Sequence, residues 1–372
     1  MKYCQKCLYP DTKPQLIFNE NGICSACVNA ELKEEIDWNK KRDEFSNILE
    51  KFRNKDKTNY DCIIPVSGGK DSTYQVLKTT EYGLNPLLVY FETTLPTEVG
   101  KHNIEVMRSI GVDLISVKRN PVVFKKLTYI AFKQLGNAQW PMFLGAYCAP
   151  IQLAVKMNIP LIIWGENPQF EYGGQADDNL KNSLDEYWVN NLGGLNNKTA
   201  KDMVNNEISM KDMVMYQYPS QDEIRKLGLK SVFLGYYFSW DQYKQIEMIK
   251  NIGWKEKNSP SESTYTKYVG IDCDALEIHN YLKYVKFGYG RATDDASIDI
   301  RHNKISREEG LQLVQLYDGK VPHIAKSRFI EYLKISEQEY EQVIDRWTNK
   351  DIFKVDSNGN FERNKDGCLV KY

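Results

Sequence analysis

The central part of the chain alternates short apolar runs with longer amphipathic segments. Four apolar runs have the length and composition of buried parallel strands: residues 61–66, 86–91, 113–117 and 160–165. Between and after them, apolar residues at helical spacing predict helices over residues 70–82, 97–110, 121–135 and 149–157. Strands that alternate with helices in this way are typical of an α/β fold with a doubly wound parallel sheet.

The pattern changes on both sides of this region. Beyond about residue 180 the strands are lost, and Ser220, Ser306 and Ser336 each stand three positions before a glutamate, the capping-box signature of a helix start. We therefore expect five parts: a four-cysteine ribbon at 1–30, a connecting helical segment at 31–58, the α/β domain at 59–180, a mainly helical region at 181–350, and a polar tail at 351–372 that forms a hairpin or is loosely held.

The loop after the first predicted strand is Ser67-Gly68-Gly69-Lys70-Asp71-Ser72. Glycines let backbone N–H groups approach an anion closely, and the N-terminus of the following helix adds free donors. The two serines and the lysine supply further donors and a positive charge. The loop is not a Walker A motif, because the GxxxxGK[ST] spacing is absent. We predict a phosphate-binding loop; the structural alternative is an ordinary glycine-rich turn.

Ligands of doubly wound sheets bind beyond the carboxyl ends of the strands, where the strand order reverses. The loops expected there are residues 67–72, 92–100 and 165–174. These three segments are therefore the predicted borders of a ligand site.

The N-terminal segment contains Cys4-x-x-Cys7 and Cys24-x-x-Cys27. This spacing is typical of two knuckles that complete a tetrahedral zinc site, and four thiolates leave no coordination position for water. We therefore expect structural Zn²⁺, with a redox dithiol pair or an iron–sulfur cluster as the alternatives.

Composition narrows the class of protein. The 372 residues are 42% hydrophobic and 27% charged, and the formal net charge of −1 does not favour nucleic-acid binding. A signal peptide would need an uninterrupted apolar core near the N-terminus, and a membrane helix would need an apolar run of roughly 18 to 20 residues. Neither pattern occurs, so we expect a cytoplasmic protein with reduced cysteines and no membrane partner.

The SGGKDS run resembles the SGGxDS signature of the PP-loop ATP pyrophosphatases, which cleave ATP to AMP and pyrophosphate. Over nearly the whole chain, further motifs resemble the N-acetyl sugar amidotransferase family of bacterial surface-glycan biosynthesis, found in pseudaminic-acid and lipopolysaccharide O-antigen pathways. The motifs are the cysteine pairs with Gly22-Ile23-Cys24, Thr97-Glu98-x-Gly100-x-x-Asn103, Trp164-Gly165-Glu166-Asn167-Pro168, Glu171-Tyr172-Gly173-Gly174, Leu234-Gly235-Tyr236-Tyr237-x-x-Trp240-Asp241, the run from Ile278 to Asp295, and Asp299-Ile300-Arg301.

This resemblance implies an enzyme that adenylates the oxygen of an acetamido group and replaces it with ammonia, giving an acetamidino sugar. Residues 59–180 would then be the PP-loop ATP-binding domain, and residues 181–350 would bind the sugar or a partner. The phosphates of ATP would contact Ser67, Gly68, Gly69, Lys70 and Ser72, while Asp71 would orient the loop donors or reach Mg²⁺. Phe91 would lie near the adenine, with a place in the core as the alternative.

The resemblance also implies catalytic and substrate-binding residues outside the loop. Lys70, Asp71, Glu166 and Asn167 would be catalytic, and Glu166, Asn167 and Glu171 would bind Mg²⁺ or polarise the acetamido group. The predicted substrate-binding residues are Glu171, Tyr172, Lys286, Arg291, Asp294, Asp295 and Arg301. Lys286, Arg291 and Arg301 would bind a sugar carboxylate or a nucleotide diphosphate, and Asp294 and Asp295 would bind hydroxyls. For Lys286, Arg291, Asp294, Asp295 and Arg301 the structural alternative is salt bridges on a helix–loop surface. For the carboxylates of Glu166 and Glu171 it is plain solvation in an exposed loop.

The identity of residue 2 limits the source of ammonia. Because this residue is Lys, removal of Met1 would not expose a cysteine nucleophile, so the chain resembles a synthetase supplied by a separate glutaminase or by free ammonium. A competing prediction is a tRNA-thiolating PP-loop enzyme, but Cys148 is followed by Pro150 and Ile151 rather than by a second cysteine. A zinc-ribbon interaction module with a vestigial nucleotide fold is the non-enzymatic alternative.

Overall fold

The computed structural model describes residues 1–174 and 182–372. Its centre is a five-stranded parallel sheet in the order β3-β2-β1-β4-β5. The strands are β1 (Cys62–Val66), β2 (Pro86–Phe91), β3 (Asp113–Val117), β4 (Leu161–Trp164) and β5 (Lys230–Phe233). The parallel α/β fold predicted from the sequence is confirmed.

One strand was not expected. β5 pairs with β4 from Leu161↔Lys230 to Trp164↔Phe233, so the prediction that strands are lost after residue 180 is wrong for this segment. The strand has only four residues and no turn signal separates it from the aromatic segment that comes next. The predicted domain boundary at 180 lies outside the described residues. The sheet nevertheless contains strands from both sides of it, because β5 follows residue 180 and pairs with β4.

Six helices precede β4 along the chain. They are α1 (Ser25–Glu34), α2 (Trp38–Phe52), α3 (Lys70–Glu81), α4 (Glu98–Arg108), α5 (Pro121–Leu135) and α6 (Trp140–Met157). One sheet face packs on α5 and α6 around Phe124 and Trp140, and the other packs on α3 and α4 around Val76 and Met107. The helix expected at 149–157 begins earlier, at Trp140, because Pro141 occupies the first turn, where proline fits a helix start.

The remaining helices are α7 (Pro168–Tyr172), α8 (Glu186–Asn191), α9 (Gln221–Leu227), α10 (Gln242–Lys250), α11 (Ala275–Phe287), α12 (Arg291–Arg301), α13 (Arg307–Tyr317), α14 (His323–Leu333) and α15 (Glu337–Trp347). Ser220, Ser306 and Ser336 each accept a backbone N–H three residues later, so the three predicted helix starts are confirmed. Within the described ranges, no helix combines the length and the apolar character that a membrane crossing requires.

The C-terminal tail is paired rather than loosely held. Three antiparallel bridges join Phe353 to Lys371, Val355 to Phe361 and Arg363 to Leu369. Phe353 and Leu369 are buried beside α11 and α15. The hairpin alternative therefore describes the tail, because these two side chains anchor it to the helical region.

Candidate active site

The strand order reverses between β1 and β4. The chain leaves β1 towards β2 on one side, while β4 and β5 extend the sheet on the other side. The loops after β1 and β4 therefore border a crevice at the carboxyl edge of the sheet, the position where doubly wound folds bind ligands.

The loop after β1 has a conformation that requires glycine. Gly68 has φ +86°, and a Cβ atom there would lie 3.1 Å from the carbonyl oxygen of Gly100 and 3.3 Å from Cγ1 of Ile104. The Nε1–H group of Trp254 donates to the Gly68 carbonyl oxygen at 3.1 Å. The fold thus fixes this turn from both sides.

The two serines of the loop hold its shape. The backbone N–H of Ser67 donates to Ser72 Oγ at 3.3 Å, and Ser72 Oγ donates to the Gly69 carbonyl oxygen at 3.2 Å. The backbone N–H of Gly69 donates to Ser67 Oγ at 3.3 Å. Helix α3 begins at the next residue, Lys70, so its free N–H groups face the crevice edge formed by this loop.

The carboxylate of Asp71 receives two contacts. Lys70 Nζ lies 2.5 Å from Asp71 Oδ1, and the Nε1–H group of Trp240 donates to the same oxygen at 3.1 Å. Trp240 stands between β5 and α10, far from the loop in sequence. An indole donor with a fixed position restricts the orientation of the Asp71 carboxylate.

A pocket of about 190 Å³ opens beside this carboxylate. Residues that the sequence predicted for function and that line the pocket are Ser67, Gly69, Lys70, Asp71, Glu166, Glu171, Tyr172 and Arg291. The structure therefore brings together the loop after β1, the loop after β4 with α7, and the start of α12. These three segments span more than two hundred positions along the chain.

Glu166 is a buried carboxyl group in the lining of this pocket. Burial, followed by the charge of Asp71, raises the pKa of Glu166 to about 8 from its usual 4.5, while Lys70 acts in the opposite direction. Two carboxylates that interact in a polar pocket and repel each other form a site to which a hard divalent cation would be attracted. Oxygen ligands from Asp71 and Glu166 fit Mg²⁺ for this reason.

Arg291 adds a positive charge to the lining of the pocket. Its Nε and Nη2 atoms lie 3.0 and 2.9 Å from Asp295 Oδ1, and Asp295 is nearly fully buried. The hydroxyls of Thr264 and Thr266 donate to Asp295 Oδ2 at 2.6 and 3.3 Å. Asp295 therefore orients Arg291 and is not among the residues that line the pocket, and its role on a sugar hydroxyl stays a prediction.

Three other predicted residues lie away from the pocket. Phe91 is in the core, where its ring packs edge-on to Tyr216 at 6.3 Å, the position that the core alternative gave it. Lys286 Nζ donates to the Gly136 carbonyl oxygen at 2.9 Å, and burial lowers its pKa to about 8. Asp294 forms a buried ion pair with Lys283. Each of these side chains is occupied by packing or by an internal partner.

Three further predicted residues support the pocket from behind. Arg301 donates through Nη2 to the Glu171 carbonyl oxygen at 3.0 Å. Asn167 is buried at the start of α7, and its carbonyl oxygen accepts the backbone N–H groups of Phe170 and Glu171 at 3.1 and 3.0 Å. Ser72 acts within the loop. The structure places them as supports of the lining residues rather than as part of the lining.

Sequence reasoning missed a second set of lining residues: Trp240, Gln242, Tyr268, Val269, Gly270, Ile271, Asp272, Leu276, Ile298 and His302. They come from loops and single helix faces and form no local motif. The sequence did carry one signal: Trp240 lies in a motif that resembles the N-acetyl sugar amidotransferase family, although the resemblance gave Trp240 no role.

The four predicted metal ligands also meet. The Sγ atoms of Cys4, Cys7, Cys24 and Cys27 lie within 4.8 Å of one another, and all four residues are buried. The backbone N–H of Cys24 donates to Cys4 Sγ at 3.3 Å, a contact that stabilises a thiolate. Four clustered thiols are the donor set of structural zinc, and the residues fit such an ion.

The fold and the pocket define the class of protein: a parallel α/β protein with a glycine-rich loop, of the kind predicted to bind phosphate, where the strand order reverses. Residues 262–365 match the family model described as "LPS biosynthesis protein WbpG-like, C-terminal domain". This match confirms, for that part of the chain, the predicted resemblance to proteins of bacterial surface-glycan biosynthesis.

Comparison with solved structures found similarity to the NMN synthetase from Francisella tularensis, with 15% sequence identity and a TM-score of 0.30. The alignment covers 72% of this chain and 94% of the synthetase. Comparison with curated proteins found no match.

Proposed function

We propose that this protein is an ATP-dependent, AMP- and pyrophosphate-forming amidotransferase that converts the acetamido group of an N-acetyl sugar to an acetamidino group. The observation that carries the proposal is the shared pocket. Residues of the SGGKDS loop line it together with Tyr268, Asp272, Arg291 and His302, which all lie within the region that matches the lipopolysaccharide-biosynthesis family model.

An amide oxygen is a poor leaving group, so the reaction needs prior activation. The acetamido oxygen attacks the α-phosphorus of ATP, the bond to the bridging oxygen breaks, and pyrophosphate leaves. Ammonia then adds to the carbon of the adenylated imidate, and AMP departs with the former amide oxygen. The protein must align the amide with the α-phosphate and stabilise the charge that develops on pyrophosphate.

The pocket residues suit these tasks. The free N–H groups at the start of α3 and the ammonium of Lys70 would contact phosphate oxygens. Asp71 and Glu166 would hold Mg²⁺, which would supply positive charge to neutralise the phosphates of ATP. Arg291, oriented by Asp295, would bind a carboxylate or phosphate of the sugar substrate through its remaining donors.

The competing thiolation reaction requires a reactive sulfur near the nucleotide. In the part of the chain that the structure describes, no cysteine lines the pocket. Cys148 is buried, its Sγ atom donates to the Tyr216 carbonyl oxygen at 3.3 Å, and burial raises its pKa. These contacts disfavour a persulfide role, so we retain a separate glutaminase or free ammonium as the nitrogen source of the proposed amidotransferase.

The proposal is tested by product analysis. The protein is incubated with ATP, Mg²⁺, ammonium and acetamido sugars, including free and nucleotide-linked sugars of the pseudaminic-acid and O-antigen types, and nucleotide and sugar products are identified by mass spectrometry. We expect sugar-dependent AMP and pyrophosphate with an acetamidino product. Formation of ADP, or sulfur transfer to tRNA without any sugar requirement, would contradict the proposal.

A further inference from the structure

Helix α7 is a single turn, Pro168–Tyr172, that presents Glu171 and Tyr172 to the pocket. A helix of five residues has few internal hydrogen bonds and does not hold its position without tertiary contacts. The position of these two pocket residues must therefore be determined by whatever packs against α7.

The packing partner is the four-cysteine head, residues 1–34. Lys33 of α1 forms an ion pair with Glu171, and the exposed fractions of the two side chains are only 15% and 8%. Asn29, one turn earlier on α1, donates through Nδ2 to the carbonyl oxygens of Gln169 and Phe170 at 3.4 and 3.3 Å. Two side chains of α1 thus hold both the backbone and the acidic side chain of α7.

The end of α7 is also enclosed by the head. Gly173 has φ +83°, and a Cβ atom there would lie 2.7 Å from Leu16 Cδ1 and 2.9 Å from both Ala26 N and Ser25 Oγ. Only glycine allows this approach between the two segments. The contact is therefore close enough to transmit a displacement of α1 to α7.

Helix α1 is itself part of the cysteine cluster. Cys24 is its N-cap and Cys27 lies in its first turn, so an ion held by the four thiols would fix the start of α1. On the far side, Arg301 donates to the Glu171 carbonyl oxygen at 3.0 Å and its guanidinium lies 5.4 Å from the centre of the Tyr9 ring in the head. Arg301 therefore contacts both α7 and the head.

We propose that Lys33 is a positioning residue of the active site and that metal loading of the head controls the pocket. The metal would hold α1, and Lys33 and Asn29 of α1 would hold α7, the helix that carries Glu171. The consequence for catalysis rests on the function proposed above, whereas the structural coupling does not. The head is then a part of the pocket wall rather than a separate module.

The test compares Lys33→Met, Lys33→Arg and wild-type protein, all with zinc content and unfolding temperature measured. Hydrogen exchange of the amides in residues 168–173 reports the coupling directly. We expect faster exchange there in Lys33→Met and in wild-type protein stripped of metal by a chelator, with near wild-type exchange in Lys33→Arg. The matched control is Lys6→Met, because Lys6 pairs with Glu31 on the exposed side of α1.

A double-mutant cycle with Glu171→Gln shows whether Lys33 acts through Glu171. Loss of a residue that orients a ligating group typically costs about 10- to 100-fold in affinity or activity. Because the family resemblance implies that Glu171 binds Mg²⁺ or polarises the acetamido group, we expect Lys33→Met alone to weaken Mg²⁺-ATP binding by that amount. We expect it to have little further effect in the Glu171→Gln variant. Unchanged exchange at 168–173, or additive effects of the two substitutions, would overturn the proposal. If wild-type protein formed no AMP while exchange still responded, only the proposed function would fail.

Discussion

The two sides of the pocket differ in how the chain builds them. The lining residues called the loop side here, Ser67, Gly69, Lys70, Asp71, Glu166, Glu171 and Tyr172, belong to two short segments that each follow a strand of the sheet. The C-terminal side consists of Trp240, Gln242, residues 268–272, Leu276, Arg291, Ile298 and His302, which come from several separate segments. The first is a property of local sequence, and the second arises only from tertiary packing.

This difference has a functional meaning. Under the proposed function, the loop side would hold the phosphates of ATP at the edge where parallel α/β sheets bind ligands. The C-terminal side falls largely within the region that matches the lipopolysaccharide-biosynthesis family model, and under the proposed function it would bind the sugar. Substitutions on the two sides should therefore affect different steps.

The largest effect is expected for Asp71→Ala on the loop side. The carboxylate contacts Lys70 and Trp240, and under the proposed function its loss would remove a ligand of Mg²⁺. We expect pyrophosphate release to fall about a hundredfold to a thousandfold, the range found when one charge-stabilising group is removed. Zinc content should be unchanged, and the exposed variant Asp222→Ala is the control. Retained pyrophosphate release would remove Asp71 from the catalytic group.

A smaller and different effect is expected for Arg291→Lys on the C-terminal side. Lysine keeps the charge but cannot form the two contacts with Asp295 that fix the guanidinium. We expect KM for an anionic sugar substrate to rise about tenfold, as for the loss of one charge-assisted contact, with kcat for ATP cleavage little changed. Initial-rate kinetics with the sugar varied would measure this. An equal loss in kcat would mean that the two sides do not divide their tasks.

The pH dependence of stability tests the environment of Glu166. Because the pKa of Glu166 is about 8 in the folded protein and 4.5 ordinarily, the folded state binds an extra proton between these values. Its contribution to the free energy of unfolding is therefore lost as pH rises from about 4.5 to about 8. Without Mg²⁺, Glu166→Gln should raise the unfolding temperature relative to wild type by a margin that grows over this range. A margin independent of pH would contradict the assignment.

The smallest effect is expected for Lys286→Met, a residue that the sequence predicted for the substrate and that the structure places outside the pocket. Its loss would remove a hydrogen bond to the Gly136 carbonyl oxygen and cost about 1 kcal/mol of stability. Chemical denaturation would show this loss, while KM for the sugar should not change. A raised KM would place Lys286 in the substrate site after all.

The sequence predicted the loop side because its physics is local. A glycine that needs φ +86°, two serines and a helix start leave a recognisable pattern within six residues. The alternation of strands and helices likewise predicted four of the five strands. The pattern did not predict β5, because this strand has only four residues and lies in a segment whose neighbours are helical.

The C-terminal side was predicted less well for a physical reason. In the run from Ile278 to Asp295, charged residues occur at many positions, and spacing alone does not distinguish a pocket residue from its support. Arg291 lines the pocket, Asp295 holds Arg291, and Asp294 and Lys286 have other partners. Only the direction of each side chain in the folded helices separates these roles.

The most direct test of the central claim follows the carbonyl oxygen of the acetamido group, which is proposed to attack ATP in the pocket. An N-acetyl sugar substrate identified by product analysis is labelled with a heavy oxygen isotope in its acetamido carbonyl and converted in unlabelled water, and the nucleotide product is analysed by mass spectrometry. If the sugar amide attacks ATP in the shared pocket, the label appears in AMP and not in pyrophosphate. Unlabelled AMP, or label in inorganic phosphate released alongside ADP, would contradict the proposed attack.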